Sequence, residues 1–156
     1  MSTTVATHQY CTFWVAGLHF GVAVDSVQEV LRSQTMTPVP RAPEAVRGLI
    51  NLRGQIVTAL DLRRRLDLHT DADESPEMNV IVRSRGEVVS LLVDRIGDVI
   101  DTSGLELQPV PSNLPVMVRE VVHGVLTLPD AILLVVDPDR AVDVSAAGEP
   151  NNGGTS

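Results

Sequence analysis

The chain has 156 residues and a net charge of −8, so it is most simply one domain, or two very small ones fused. Hydrophobic residues make up 44% and aromatic residues only 3%, so Val, Leu and Ile must supply the core, and these residues favour β structure. An acidic chain with few aromatic residues is not typical of a nucleic-acid binder.

Charge is distributed unevenly along the chain. All twelve basic residues are arginines. Residues 30–66 carry seven of them against two acids, whereas residues 67–156 carry five arginines against sixteen acids. This asymmetry indicates two electrostatically different faces, each suited to a different protein partner.

The sequence predicts a cytoplasmic protein without membrane insertion. Cys11 is the only cysteine, so no internal disulfide can form and a reducing compartment is indicated. Residues 1–10 lack the basic and apolar regions of a secretory signal. Apolar runs such as residues 131–136 are far shorter than the roughly 20 residues that span a bilayer.

The first half of the chain predicts two hairpins and two short helices. Asp25 is expected to cap the first helix, with Gln28 as its capping-box partner, and Asp61 precedes the second helix. The predicted strands cover residues 10–15, 20–24, 46–52 and 55–60, the helices cover 25–32 and 62–68, and a proline-rich connector covers 38–43.

The second half predicts two more hairpins. It follows an acidic linker over residues 69–77 and ends in a tail over 145–156 that is predicted to be disordered. The predicted strands cover residues 78–83, 87–93, 121–128 and 131–136, and a proline-rich irregular stretch covers 103–115.

Two segments of the first half recur in the second half. GLINLRGQIVTALDLRRRL (48–66) aligns without a gap to GVLTLPDAILLVVDPDRAV (124–142), and FGVAVDSVQEV (20–30) aligns to VSLLVDRIGDV (89–99). The sequence therefore predicts two copies of one small β unit.

Each copy has about five short strands, the number typical of a small barrel, and closure would remove exposed strand edges. The predicted fold is all-β with short helices, in two five-stranded β-barrel lobes related by internal duplication. The approximate bounds are residues 8–68 and 78–144, within one domain at 8–144. Units of this size are marginally stable alone, so the lobes should share an apolar interface.

Three consecutive arginines, Arg63, Arg64 and Arg65, leave two interpretations open. They can form a solvated helix face whose aliphatic stems cover apolar surface, or an electrostatic patch for an acidic protein surface. The second repeat has no such triplet, so the arginines are not needed to form the unit. Nucleic-acid binding is disfavoured because stacking aromatics are absent.

Known catalytic and cofactor motifs are absent from the sequence. It contains no glycine-rich nucleotide motif, no paired histidine ligands and no complete calcium loop. Asp61 and Asp137 could suggest acid–base catalysis, but their identical position before a helix favours capping. We therefore predict no enzyme activity, no cofactor and no metal site.

The repeated segments together resemble the CheW family of bacterial chemosensory adaptors, in order across residues 10–143. The most specific elements are Val27-Gln28-Glu29, and Gly48 through Asn51-Leu52-Arg53-Gly54 to Asp61-Leu62-Arg63. The resemblance implies two packed β-barrels, between which strands can be exchanged.

The resemblance also implies a role without catalysis. The family couples the cytoplasmic tip of methyl-accepting chemoreceptors to the histidine kinase CheA by binding the regulatory domain of the kinase. Further copies of the adaptor are an additional candidate partner within receptor arrays, which would recruit the protein to the inner face of the membrane. A small β-barrel module that binds a ligand or nucleic acid outside chemotaxis is the alternative.

In the family, a groove between the lobes binds the helical hairpin tip of the receptor, with apolar anchors and with charges that fix the register. Glu29 and Arg53 would be the register-setting pair. Carried over by motif, the groove residues are Val27, Glu29, Gly48, Asn51, Leu52, Arg53, Gly54, Val93, Asp94 and Val99.

Overall fold

The computed structural model of the protein describes residues 9–68, 76 and 78–144. The predicted tail at 145–156 and most of the predicted linker lie outside these residues. The described chain forms β1 (Gln9–Val15), β2 (Leu18–Ala23), a 3-10 turn (Val24–Ser26), β3 (Val27–Arg32), β4 (Val46–Leu52), β5 (Gln55–Asp61), α1 (Leu62–Arg65), β6 (Met78–Ser84), β7 (Glu87–Val93), β8 (Arg95–Asp101), α2 (Val116–Val121), β9 (Val122–Thr127), β10 (Ile132–Val136) and α3 (Pro138–Val142).

The strands form two five-stranded sheets that do not follow the predicted boundary at residues 69–77. Sheet A has the order β8-β1-β2-β10-β9, and sheet B has the order β3-β6-β7-β5-β4. We call β1–β5 with α1 the first repeat, and β6–β10 with α3 the second repeat. Each repeat therefore contributes its first hairpin to one sheet and its last three strands to the other, so strands are exchanged between the lobes.

The predicted duplication is confirmed by the strand registers. In sheet A, Phe20 of β2 pairs with Leu134 of β10 in a parallel ladder. Their repeat equivalents, Val89 of β7 and Thr58 of β5, pair in the same way in sheet B. The bulge between β4 and β5 also recurs between β9 and β10. Sheet B thus repeats sheet A down to the pairing of individual residues.

The predicted all-β fold in two five-stranded lobes is confirmed, and the two sheets are open rather than fully closed barrels. Sheet A ends at β8 and β9, and sheet B ends at β3 and β4. Both sheets are nevertheless strongly curled. In sheet B, Arg53 at the β4–β5 turn forms an ion pair with Glu29 of β3, although β3 and β4 are opposite edges of the sheet. Leu31 of β3 and Ile50 of β4 also share one small apolar cluster.

A larger core lies between the two sheets and is made by both repeats. Strands β6 and β7 are buried on both faces, which explains their continuous apolar sequences. Val80 and Leu91 point into the core between the sheets, whereas Ile81 and Leu92 point into the smaller cluster of sheet B. Each fully buried side chain of this kind contributes about 1.5–3 kcal/mol to stability.

The prediction of a helix over residues 25–32 is wrong. After the short 3-10 turn, Val27, Glu29 and Leu31 point inward and the residues between them point outward, which is the period of a strand. Pairing of β3 with β6 decides the conformation, because the apolar side chains reach the core only from a strand. Asp25 makes no capping hydrogen bond.

The two helices that follow a strand and an aspartate are capped as predicted. Asp61 Oδ1 accepts hydrogen bonds from the backbone N–H groups of Arg63 and Arg64, at 3.0 and 3.3 Å. Asp137 Oδ1 accepts the equivalent bonds at the start of α3, at 3.0 and 3.4 Å. Both carboxylates therefore have a structural role that explains why they recur.

In each repeat the connector after the third strand crosses the next hairpin at a glycine. The backbones of Thr37 and Leu49 exchange two hydrogen bonds of 2.8 Å beside Gly48. Gln108 and Val125 do the same beside Gly124, at 2.8 and 3.0 Å. A Cβ at Gly48 would lie 2.6 Å from the Thr37 carbonyl oxygen, so this crossing requires glycine.

We expect Gly48→Ala to lower the free energy of unfolding by about 1–3 kcal/mol, because the backbone must shift to admit the Cβ. Gly124→Ala is the matched control. The three atoms nearest to its Cβ would all belong to the side chain of the exposed Leu107, which can move aside more easily than backbone. Urea unfolding measures both variants, and a loss at Gly124 as large as at Gly48 would contradict this account.

Candidate functional site

The turn between β4 and β5 presents a charged residue at the tip of a hairpin. Arg53 and Gly54 have φ angles of +54° and +88°, which form the tight turn that matches the twist of the strands. The Asn51 side-chain oxygen accepts a hydrogen bond of 2.8 Å from the Gly54 N–H. Arg53 is thereby held 67% exposed beside Glu29, with which it forms an ion pair. We call Glu29, Asn51, Arg53 and Gly54 the hairpin-tip site.

Four other predicted groove residues are buried or half-buried and support the strands. Leu52 belongs to the inner cluster of sheet B, Val93 lies in the core between the sheets, and Val27 packs against that core. Gly48 lies under the connector. The three side chains and the close backbone crossing at Gly48 hold the elements that carry the hairpin-tip site.

Asp94 is already engaged in contacts within the chain. It lies where the chain passes from β7 of sheet B to β8 of sheet A. Its Oδ2 accepts hydrogen bonds from the Ala16 N–H at 2.8 Å and from Arg63 Nη2 at 2.6 Å. Asp94 therefore joins a hairpin turn of sheet A to helix α1, which follows sheet B.

Val99 lies in sheet A, whereas the hairpin-tip site lies in sheet B. It belongs to a set of exposed apolar residues at equivalent positions of the two repeats, which the sequence motifs did not identify as a set. Val99 on β8 is 58% exposed, and its repeat equivalent Val30 on β3 is also exposed. A second equivalent pair, Ile56 and Ile132, is 62% and 54% exposed. The repeat alignment pairs these isoleucines, but nothing in the sequence marks them as exposed.

The three arginines of α1 do not form one exposed patch, so that interpretation is wrong. Arg63 lies 2.6 Å from Asp94 and its side chain is only 15% exposed. Arg65 is buried. Only Arg64 is well exposed, and it contacts the Asp61 carboxylate and the Glu44 carbonyl oxygen. The arginines face different directions because each helical residue turns about 100° from the last.

Arg65 connects the helices of the two repeats. Its Nε donates to the Ala141 carbonyl oxygen at 3.0 Å, and its Nη2 donates to the Arg140 carbonyl oxygen at 2.8 Å. Burial lowers the pKa of Arg65, and the nearby carboxylates of Glu120 and Asp143 oppose this effect. Arg65 and Ala141 occupy the same position in the two repeats, so their contact lies near the pseudo-twofold axis that relates the repeats.

The described residues show neither a metal-binding cluster nor a membrane-spanning helix. Residues 9–68, 76 and 78–144 contain no group of three or more His, Cys, Asp or Glu side chains placed to hold a metal ion. In the same part of the chain, no helix is long and apolar enough to cross a membrane.

The sequence profile of the CheW-like domain matches residues 9–146. The chain belongs to the CheW-like domain family. A chemotaxis protein CheW of Rhizobium meliloti is 30% identical over 127 residues, covering 81% of this chain and 82% of that protein. A chemotaxis protein CheW of Treponema pallidum is 29% identical over 133 residues, covering 83% and 78%.

The same fold is found in a crystal structure. The scaffolding protein TtCheW from Thermoanaerobacter tengcongensis superposes on this CheW-like domain with a TM-score of 0.79 at 23% identity. The match covers 94% of this chain and 100% of that chain. Two exchanged five-stranded sheets are thus the CheW fold.

We expect Arg65→Met to lower the free energy of unfolding by about 2–3 kcal/mol, because two carbonyl oxygens of α3 lose a charged donor. Arg64→Met is the matched control, and its effect should stay within about 1 kcal/mol because Arg64 is solvated. Chemical denaturation of the two variants tests this difference. Equal losses would argue against Arg65 as the connection between the repeats.

Proposed function

We propose that this CheW-like domain is a non-catalytic adaptor in chemotaxis or a related chemosensory pathway. It couples methyl-accepting chemoreceptors to the histidine kinase CheA. The chemotaxis proteins CheW among its relatives support this role. The capping function of Asp61 and Asp137 supports a role without catalysis, because it accounts for the two carboxylates that could have suggested an active site.

The observation that carries the proposal is the hairpin-tip site. Glu29 and Arg53 place opposite charges side by side at one end of sheet B, and neither is fully buried. Exposed Ile56 lies opposite Asn51 in the β4–β5 hairpin, and exposed Val30 follows Glu29 on β3 with its side chain on the outward face of the strand. Apolar anchors next to a charge pair are what a groove needs to bind a helical hairpin in one register. We assign the receptor tip to this surface.

The duplication supports a second contact. Val99 and Ile132 are exposed on sheet A at the positions that Val30 and Ile56 occupy on sheet B. Similar surfaces on both sheets allow the domain to contact two partners in related ways. We assign these contacts to the regulatory domain of CheA and, within receptor arrays, to further copies of the domain. The protein would then work in the cytoplasm, at the inner face of the membrane.

A nucleic-acid-binding module receives no support from the aromatic residues. Trp14 already stacks on His19, with ring centroids 4.1 Å apart, and the Arg95 guanidinium lies 5.1 Å from the Trp14 ring. Burial, and to a lesser extent the Arg95 charge, lower the pKa of His19, which favours the neutral ring. An engaged tryptophan is a poor platform for stacking bases.

We expect Arg53→Glu to weaken binding of a chemoreceptor cytoplasmic tip by about tenfold or more while changing thermal stability little, because an exposed ion pair contributes only about 0–1 kcal/mol. The purified protein is titrated with the receptor tip and, separately, with the regulatory domain of CheA. Arg41→Glu is the control, since Arg41 is an exposed arginine with a similar φ of +64° outside the hairpin-tip site.

Binding of both fragments, with a receptor-specific loss in Arg53→Glu, is the expected result. Binding of neither fragment would contradict the adaptor role. Equal weakening by Arg41→Glu would contradict the assignment of the hairpin-tip site, because the change in net charge alone would then explain the loss of binding.

A further inference from the structure

The two repeats have matching backbones at one place where their side chains differ in size. In sheet A, the space between β2, β10 and the residue after α1 is filled by Phe20, Leu134 and Leu66. All three belong to the core between the sheets, and none is more than 4% exposed. Three large apolar side chains thus close this part of sheet A.

The equivalent space in sheet B is not filled. Val89, Thr58 and Val142 occupy the three equivalent positions, and each is smaller than its counterpart. Here a groove of about 410 Å³ lies between sheet B and the end of α3. Val46 and Leu60 complete its apolar wall. Compared with sheet A, sheet B lacks the phenyl group of Phe20, because Val89 stands in its place. It also lacks the isobutyl group of Leu134, because Thr58 stands in its place.

The groove opens onto further apolar surface and charged residues. Ile56 lies two residues before Thr58 on the same face of β5 and is largely exposed. At the β6–β7 hairpin, Arg85 and Glu87 are exposed and line the groove. A charge of each sign beside an apolar floor fixes the orientation of whatever binds, because only one orientation pairs both charges.

On the C-terminal side of α3, the sequence offers no large apolar side chain to fill the groove. Val144 lines the groove, and residues 145–156 after it (SAAGEPNNGGTS) contain no large apolar side chain. The stretch at residues 69–77 (HTDADESPE) contains none either. The composition of these segments favours a side chain from a partner.

We infer that this groove is a docking site for one phenylalanine- or leucine-sized side chain of a protein partner. The side chain replaces the packing that Phe20 and Leu134 supply in sheet A. Neighbouring charges of the partner meet Arg85 and Glu87. The inference rests on the comparison of the repeats and does not depend on the receptor and kinase assignments. It adds a contact on β5, β7 and α3 that borders Ile56, which also belongs to the surface assigned to the receptor tip.

The test uses the full chain and small probes of the same chemistry. N-acetyl-phenylalanine amide and N-acetyl-leucine amide are titrated against methyl-labelled protein, and N-acetyl-alanine amide is the control probe. We expect the first two to shift the methyl resonances of Val46, Val89 and Val142 saturably, with millimolar affinity, and the alanine probe to shift none. Absence of saturable shifts at these methyl groups would overturn the proposal.

The second part of the test uses a filled variant, in which larger side chains occupy the groove. Thr58→Leu with Val89→Phe introduces the residues that sheet A has at these positions, and it should weaken probe binding by about tenfold or more. Its melting temperature should not fall, because sheet A packs the same pair. Thr58→Leu alone is the fallback if the double variant does not fold, and it should also weaken probe binding. Thr127→Leu, at an exposed position of β9, should bind the probes as the unmodified protein does.

Undiminished probe binding by the filled variant would place the probes elsewhere and overturn the inference. The chain could also fill its own groove from residues 1–8. A nuclear Overhauser contact between the methyl groups of Val5 and Val89 in the unmodified protein would show this, and would overturn the assignment to a partner.

Discussion

Neither sheet can form from one repeat, because each repeat places its first hairpin in one sheet and its last three strands in the other. The core between the sheets is consequently built by both halves of the chain at once. Every functional surface depends on this exchange. The edge strands β3 and β8 are the first strands after the chain passes from one sheet to the other, and they carry Glu29, Val30 and Val99.

Charged groups reinforce this arrangement where the repeats meet. Arg63 binds Asp94 at one crossing, and Arg65 binds the carbonyl oxygens of α3 near the pseudo-twofold axis. In the second repeat, Asp139 and Ala141 stand in place of these arginines. One arginine at the axis suffices, since two would bring like charges into contact in a buried site. Arg63 and Arg65 are therefore internal connections, whereas the largely exposed Arg53 pairs with Glu29 at a hairpin tip.

Much of the fold could be predicted from the sequence, because the strongest signals are local or repeated. Hairpin strands, the aspartate caps and the duplication all follow from periodicity and alignment. The helix over residues 25–32 was wrongly predicted because Val27 and Leu31 fit one helix face as well as one strand face, and only pairing with β6 decides between them. Openness of the sheets could not be predicted either, since it depends on whether two distant edges form hydrogen bonds.

The candidate site was predictable in part. Glu29 and Arg53 were identified by motif, and the structure pairs them. The burial of Arg63 and Arg65 was not predictable, because their partners lie in the other repeat and no local pattern marks them. Ile56 and Ile132 were missed for a different reason. An exposed isoleucine looks like any core residue in a sequence, and only its position in the sheet reveals the exposure.

The exchange of strands also has a consequence for how the chain is made. During synthesis, β1 and β2 emerge well before their partners β8 and β10. This hairpin must wait, with both edges and one apolar face uncovered, until β10 has left the ribosome. Sheets assembled from such distant segments fold slowly, and uncovered edges can pair with other chains. The duplication that gives the domain two similar surfaces also makes it dependent on protection while it is being synthesised.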